Sequence, residues 1–541
     1  MIRYTPASQL TLEGFEHPFN QELDPQNRWV VLASLVPWDK LAEIYVRDLR
    51  EESGRLTVDI RMVIAALIVK HRLCLSDRDT VDEIAENIYI QYFCGLKSFQ
   101  RGRPFDPSLF VDIRKRMGAE KFDAFNDAVI ARTEKLRPKK KRTMVDDHDP
   151  TAPRSMDEGS TENTDDRKQP PSLSPNKGKL KLDATVADQQ IVYPTDLGLV
   201  NRSREESERI IDLLYERKKE EISVKPRTYR QVARKQYLEL AKKKKKNQKQ
   251  IRKAIGQQLR YLKRNIKTIH RMLDMFEDEK FPLHPRDQKI FWVIQHIYAQ
   301  QKTMYDTRIH SHPNRIVNIY QPYVRPIVRG KDKAHVEFGS KISLMECQGI
   351  SKVDHIGWDA FNEAGDLKMQ VEKFHTIFGC YPELLLVDGI YLNRENRKWL
   401  NEKGIRTVGK PLGRPPKEQL SAYEKRKRKA ERNQRNHVEA KIGQAKNGYG
   451  LNKIKARRMD TSESWINAIF FVMNLVNLMK VAGQACKDDL FSTLAQTYRA
   501  ISNVCASAVG PIVKLSIYTL ALLGPNLMLM ENHQQKKYLV I

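Results

Sequence analysis

The sequence predicts an α/β protein: a mixed sheet with helices on it, preceded by an all-α module. Three observations carry that prediction. Residues 20–135 show only helical patterns, from residue 179 onward strand and helix patterns alternate, and Leu384-Leu385-Leu386-Val387 is a continuous apolar run of the kind a central strand shows.

The helical module comes first. From Thr57 to Val69 apolar residues fill most of the turns, and Thr57 is placed to cap them. Ser76-Asp77-Arg78-Asp79-Thr80 opens a second helix, expected from Val81 to about Tyr92. Pro104, Asp106 and Pro107 mark a turn before a helix from Ser108 to Met117. Short helices joined by polar turns fit a helix-turn-helix type of DNA-binding module over residues 1–135, although a plain helical bundle reads the same way. Residues 136–178 then lose their apolar positions and become rich in Asp, Ser, Thr, Pro and Gly, the composition of a disordered linker.

Within residues 179–482 the first strand is Lys179 to Val186, where Leu180, Leu182, Ala184 and Val186 alternate with polar residues and Asp183 falls on the face opposite the leucines. A helical, strongly basic insertion is expected at about 203–312. Between Lys225 and Arg271 it carries 18 Lys/Arg and a single acid, Glu239, and Lys242, Lys243, Lys244, Lys245 and Lys246 are consecutive. A merely solvated helix face alternates its charge signs, so this one points to phosphate contact. Strands are expected at Asn314–Tyr320, Lys333–Cys347 and Ile350–Trp358, with turns at Gly330-Lys331-Asp332 and Gln348-Gly349. A helix (Leu367–Phe378), the strand Leu384–Val387, a helix (Arg394–Lys403), a strand (Ile405–Val408), a long basic helix (Lys417–Lys446) and an apolar helix (Ser464–Val481) complete the series. Residues 483–541 suggest no role.

The chain has 541 residues, which implies roughly two to four domains. Its net charge of +28 and pI near 9.6 point to a polyanionic partner, a nucleic acid or an anionic membrane. The six cysteines, Cys74, Cys94, Cys347, Cys380, Cys486 and Cys505, form no C-x-x-C pair and read as free thiols of a reducing cytoplasm. No secretory signal is seen. The apolar stretches Trp465–Met479 and Leu515–Met530 fall short of a clean span, because Asn467, Asn474 and Asn477 interrupt the first and Gly524-Pro525 the second; no membrane partner is expected.

Two acids stand out. Asp388 is the first residue past the apolar strand, where ligand sites of such sheets lie, although an Asp there also serves as a turn or cap residue. On the basic helix Arg435, Glu439 and Lys446 share an arc of roughly 40°, which by itself is also the pattern of an ordinary surface pair.

These segments resemble the DDE-class transposases of bacterial insertion sequences. In many of these the catalytic Glu lies in a signature of Tyr, two residues, Arg, three residues, Glu, six residues and Lys. Arg435, Glu439 and Lys446 match its last three positions, and Arg432 stands where the Tyr would be. The stretches KLKLDATVADQQIVYPTDL, RIVNIYQPYVRPIVRGK, VEFGSKIS and LLLVDGIYLNRENRKWL resemble the segments around the two catalytic Asp residues, and the likeness spans about residues 20–480. The resemblance implies an RNase H-like catalytic domain, a triad of Asp183, Asp388 and Glu439 holding two Mg²⁺ (or Mn²⁺), and Arg435 and Lys446 on the DNA backbone. It implies cleavage at element ends and strand transfer into target duplex DNA by a homodimer in the bacterial cytoplasm, associated with the nucleoid. Two alternatives share the pattern: a silent, transposase-derived DNA-binding protein, and an RNase H-like nuclease without strand transfer. Asp188, Asp196, Asp354 and Asp359 compete for the acidic roles, Asp188 most closely, while His355 and His437 read as ordinary polar residues.

Overall fold

The computed structural model describes residues 3–6, 22–49, 57–137, 176–276, 280–328, 336–409 and 421–508, the last with side chains to 487. It divides into two compact units, Met1–Arg132 with Ala152–Asn477, and Thr133–Thr151 with Leu478–Ile541. The described part of the second unit is the last turn of one helix and the C-terminal part of another. Most of the expected linker 136–178, the turn Gly330-Lys331-Asp332 and residues 509–541 of the tail lie outside the described residues.

Among the described residues the chain opens with seven helices: α1 (Arg28–Leu35), α2 (Trp38–Val46), α3 (Ile60–Arg72), α4 (Asp77–Glu86), α5 (Ile88–Phe93), α6 (Leu109–Arg116) and α7 (Ala119–Leu136). The cap of α3 is Asp59 rather than Thr57: the Asp59 carboxylate accepts from Arg61 N and Met62 N, while Thr57 Oγ1 accepts from Arg3 N. Ser76 caps α4 in a full capping box with Asp79. The helix expected to run on to Tyr92 breaks at Asn87, whose side chain accepts from Tyr89 N and Ile90 N and so starts α5.

The sheet holds β1 (Lys179–Asp188), β2 (Arg325–Val328), β3 (Val336–Cys347), β4 (Ile350–Gly357), β5 (Leu384–Leu386) and β6 (Arg406–Thr407). Its order is β2-β3-β1-β5-β6, with β4 also on β3. β1, β3 and β4 pair antiparallel, whereas β1, β5 and β6 pair parallel. Gln348 and Gly349, with φ of 53° and 88°, close the β3–β4 hairpin in two residues, the left-handed turn that such hairpins select. The expected strand at Asn314–Tyr320 is absent. That stretch is irregular, and its Ile316 and Ile319 are buried in the helical core next to it, so their apolar character reflects packing rather than a ladder.

Between β1 and β2 the chain builds a helical bundle of α8 (Asp196–Arg217), α9 (Arg230–Ala241), α10 (Gln248–Asp274) and α11 (Pro285–Thr307), with its own core around Ile210, Leu214, Leu262, Ile269, Ile294 and Ile297. Lys242–Lys246 do not continue a helix: they form the exposed turn between α9 and α10, where five adjacent cations escape the repulsion a helix would impose. After β4 come α12 (Leu367–Phe378), α13 (Arg394–Glu402), α14 (Ala422–Asn433), α15 (Asn436–Gly448) and α16 (Met459–Ala508). The single helix expected over 417–446 is interrupted at Gln434-Arg435, and residues 410–420 lie outside the described ones.

Leu180 and Leu182 pack with α12 and α13 on one sheet face. On the odd-numbered side of β1, Lys179 Nζ donates to Gln434 Oε1, in the turn before α15, at 3.0 Å, and Lys181 forms a buried ion pair with Glu346, its cross-strand neighbour. The stretch Met459–Lys487 is long and apolar enough to cross a membrane, but 67% of its most apolar window is buried within the protein. Phe471, for example, packs its ring 5.2 Å from that of Phe125 of α7.

Candidate active site

The parallel pairing of β1 and β5 brings the segments that carry two of the candidate acids side by side. Lys179 pairs with Leu384 and Lys181 with Leu386. Asp183 lies two residues past the last paired position of β1, and Asp388 two residues past the end of β5. Side chains two residues apart on a strand share a face, so Asp183 lies on the same side of β1 as Lys179 and Lys181. Asp183 lies on a strand whose other residues are mostly buried, and its Oδ1 accepts from Ala184 N at 2.9 Å. Asp388 is exposed at the mouth of β5; its Oδ1 accepts from Gly389 N at 2.7 Å and caps the short 3-10 turn Gly389–Tyr391.

α15 packs on β1 and β3. Its first turn carries Glu439, whose Oε1 accepts from Arg435 Nη2 at 2.6 Å. Arg435 also lines a small cleft with Arg432, Leu386 and Val387, at the end of the strand that delivers Asp388. Electrostatics tie these groups together. Burial pushes the Asp183 carboxyl above its ordinary range; the Ala184 N–H and the Arg435 cation oppose this, and the negative charges of Glu363 and Glu439 add to it. Asp183 thus senses both ends of the Arg435–Glu439 pair. Lys446 lies further along α15, 3.5 Å from Glu337 Oε1 and 3.9 Å from Asp188 Oδ2.

The other acids have separate partners. Asp196 accepts from Gln301 Nε2 and Arg315 Nη2, Asp359 is 3.4 Å from Arg325 Nε, and Asp354 is fully buried on β4. His355 Nδ1 lies 2.9 Å from Asp366 Oδ2, and His437 is exposed. Sequence reasoning passed over Glu363 and Tyr391. Glu363 pairs with Lys341 at 2.9 Å, and Tyr391 is buried with its hydroxyl unbonded; burial and the nearby charges of Glu363 and Asp183 hold that hydroxyl protonated. No signal in the sequence marks either, since both depend on how the α12 segment folds back on the sheet.

The donors at this edge are carboxylates, the hard oxygen ligands that a divalent ion such as Mg²⁺ prefers, and their mutual repulsion is what a cation relieves. As the side chains stand, no three His, Cys, Asp or Glu among the described residues converge on one point.

Comparison with known proteins adds two family matches. Residues 385–476, which include Asp388 and Glu439, match the transposase DDE domain. Residues 17–116, which include α1 to α5, match the transposase domain DUF772. A curated relative, "Uncharacterized protein ORF8 in nfe locus" of Rhizobium meliloti, is 34% identical over 98 residues, covering 18% of this chain and 47% of the relative. The chain therefore spans about half the length of the curated relative it matches. No solved structure matches the chain.

Proposed function

Two transposase domains match this chain, and from that premise we propose that it cuts and joins DNA as a DDE transposase, with Asp183, Asp388 and Glu439 as its acidic triad. One observation supports the reading: β1, which carries Asp183, pairs parallel with β5, the strand that ends just before Asp388, and the Asp183 carboxyl feels the charges of Arg435 and Glu439. The strand order, antiparallel across β1, β3 and β4 and parallel across β1, β5 and β6 with α12 and α13 between, supports an RNase H-like catalytic core.

In the proposed reaction a water oxygen attacks the phosphorus at the element's end, the phosphorus–O3′ bond breaks, and the 3′-oxygen leaves as a hydroxyl. That hydroxyl then attacks a target phosphodiester, forming one phosphorus–oxygen bond as another breaks. Asp183, Asp388 and Glu439 would hold two divalent cations, Mg²⁺ or Mn²⁺, which supply charge stabilisation on the attacking and leaving oxygens. The half-buried Asp183 is held on a rigid strand, which limits its reorganisation during the reaction. Arg435 fixes Glu439 from one side and offers its remaining N–H groups to a backbone phosphate. Lys446 and the lysines 242–246 are further phosphate contacts in this reading, the latter fully exposed. Duplex DNA is the substrate, and two ends imply two copies of the chain.

The test is cleavage and strand transfer in vitro by the full chain on duplexes bearing the element's ends. Asp183→Asn, Asp388→Asn and Glu439→Gln are each expected to lower both steps by at least about 10³-fold while end binding persists, and a chelator is expected to stop the wild type. Wild-type rates in any one variant remove that residue from the triad; wild-type rates in all three overturn the reading.

A further inference from the structure

We infer that the outward face of α10 is a track for the backbone of duplex DNA about one helical turn long, an inference that rests on the DNA-processing reading above. Lys249, Lys253, Arg260, Lys263, Lys267 and Arg271 of α10 are all exposed. At 100° per residue they fall within an arc of roughly 80°, and they extend over about 33 Å of helix. The first acid on the helix, Asp274, is its last residue and closes the row.

None of the six cations forms an ion pair among the described residues. The neighbouring helices mix paired and unpaired cations: Arg234 and Lys235 of α9 and Arg286 and Lys289 of α11 are exposed with no ion pair among the described residues, while others are neutralised. Arg209 of α8 pairs with Glu206 at 2.9 Å and with Asp287 at 2.6 Å, and Lys302 of α11 pairs with Asp306. What sets α10 apart is that its six unpaired cations share one stripe along the whole helix, with no acid before Asp274.

The opposite side of α10 buries Ala254, Leu259, Leu262, Ile269 and Met272 in the bundle, so the helix cannot roll and its cations hold one direction. This also separates a duplex from an anionic membrane. An interfacial helix gives its apolar side to lipid, and here that side is occupied by the protein's own core. A duplex carries one charge per about 1.7 Å and repeats every 34–36 Å or so, which matches a straight row of this length. The exposed turn Lys242–Lys246 adds charge at the N-terminal end of the same row.

The experiment replaces Lys249, Lys253, Arg260, Lys263, Lys267 and Arg271 with Gln in the full chain and follows binding of a fluorescent duplex across a salt series. Neutralising six phosphate contacts should lower the slope of log K against log salt by about 5, with the melting temperature unchanged because no partner is lost. Should the sixfold variant melt early, the halves Lys249→Gln/Lys253→Gln/Arg260→Gln and Lys263→Gln/Lys267→Gln/Arg271→Gln are each expected to remove about half of that change. A wild-type slope in well-folded variants overturns the track and leaves the enzyme reading standing. A wild type that binds no duplex overturns the enzyme reading itself. Loss of binding to phosphatidylserine vesicles, with the duplex slope unchanged, assigns the row to a membrane surface and overturns the proposal.

Discussion

Asp354 shows how one extra residue makes a buried acid. Ser343 pairs with His355 and Leu344 with Val353, so Asp354 is the bulged residue of the β3–β4 ladder. Its side chain turns inward, where Oδ2 accepts from Gln370 Nε2 at 2.8 Å and Oδ1 has no hydrogen-bond partner. Burial pushes its pKa up to about 7, against the pull of the Gln370 hydrogen bond and the Lys373 charge. The sign follows. An unfolded Asp loses its proton near pH 3.9 or so, whereas the folded one keeps it to about 7, so unfolding releases a proton in between and stability falls as pH rises through that window. Asp354→Asn keeps an acceptor for Gln370 and removes the titration. Its melting temperature is expected to fall less than the wild type's between pH 5 and pH 8, and parallel melting curves in the two proteins would contradict the assignment. Asp354 was legible only as an acid within the expected strand Ile350–Trp358, read as a turn or solvent residue; its burial and the bulge were not, because a register shift belongs to the pairing and leaves no mark on either strand alone. The same limit applies to Asp183. Its strand and face were legible, yet the pairing of that strand with β5, about 200 residues on, was not, because it joins segments on either side of the inserted bundle.

At the scale of the element, local chemistry and distant packing part company. Ser76 and the Gln348-Gly349 turn were legible because caps and tight turns are read from adjacent residues. The break at Gln434-Arg435 was not: nothing in that basic run opposes helix, and the interruption occurs where Lys179 of β1 meets Gln434. The turn that precedes α15 still leaves Arg435 in contact with Glu439, four residues on. The β1–β3 ladder depends on another local detail. At Gly339, opposite Asp188, an added Cβ would stand 1.9 Å from Ala187 O, a backbone atom that can move only with the strand. Gly339→Ala is therefore expected to cost about 1–3 kcal/mol in denaturant unfolding and to loosen the Asp188 end of β1. A loss under about 0.5 kcal/mol would mean that the two strands part there at little expense.

At the scale of the molecule, the change in composition at 136–178 marks a connection in the chain, while the compact unit takes α1 to α6 and most of α7 together with the sheet. The join is made by α16, whose asparagines interrupt an apolar run for a reason that only packing reveals. Asn474 Oδ1 accepts from Ser351 N of β4 at 2.9 Å, and its Nδ2 donates to Ser351 O at 2.8 Å and to Asn126 Oδ1 of α7 at 2.9 Å. One side chain thus bonds a strand of the sheet and a helix of the N-terminal module. Lys70 of α3 lies 4.5 Å over the Trp465 ring, and Lys352 of β4 reaches Asp127 of α7 at 3.1 Å, so α16 and the sheet meet the N-terminal helices at further points. Asn474→Ala would strand the Ser351 N–H and C=O and the Asn126 amide in the interior. The expected loss is about 2–4 kcal/mol, measured by denaturant unfolding. If the join is as tight as these bonds imply, amides of α3 and β4 lose hydrogen-exchange protection together in this variant, because neither layer keeps a complete core without the other. Weakened protection in β4 with α3 unchanged would instead show that the N-terminal helices hold themselves up, and that the transposase-matching segments at the two ends of this unit fold independently.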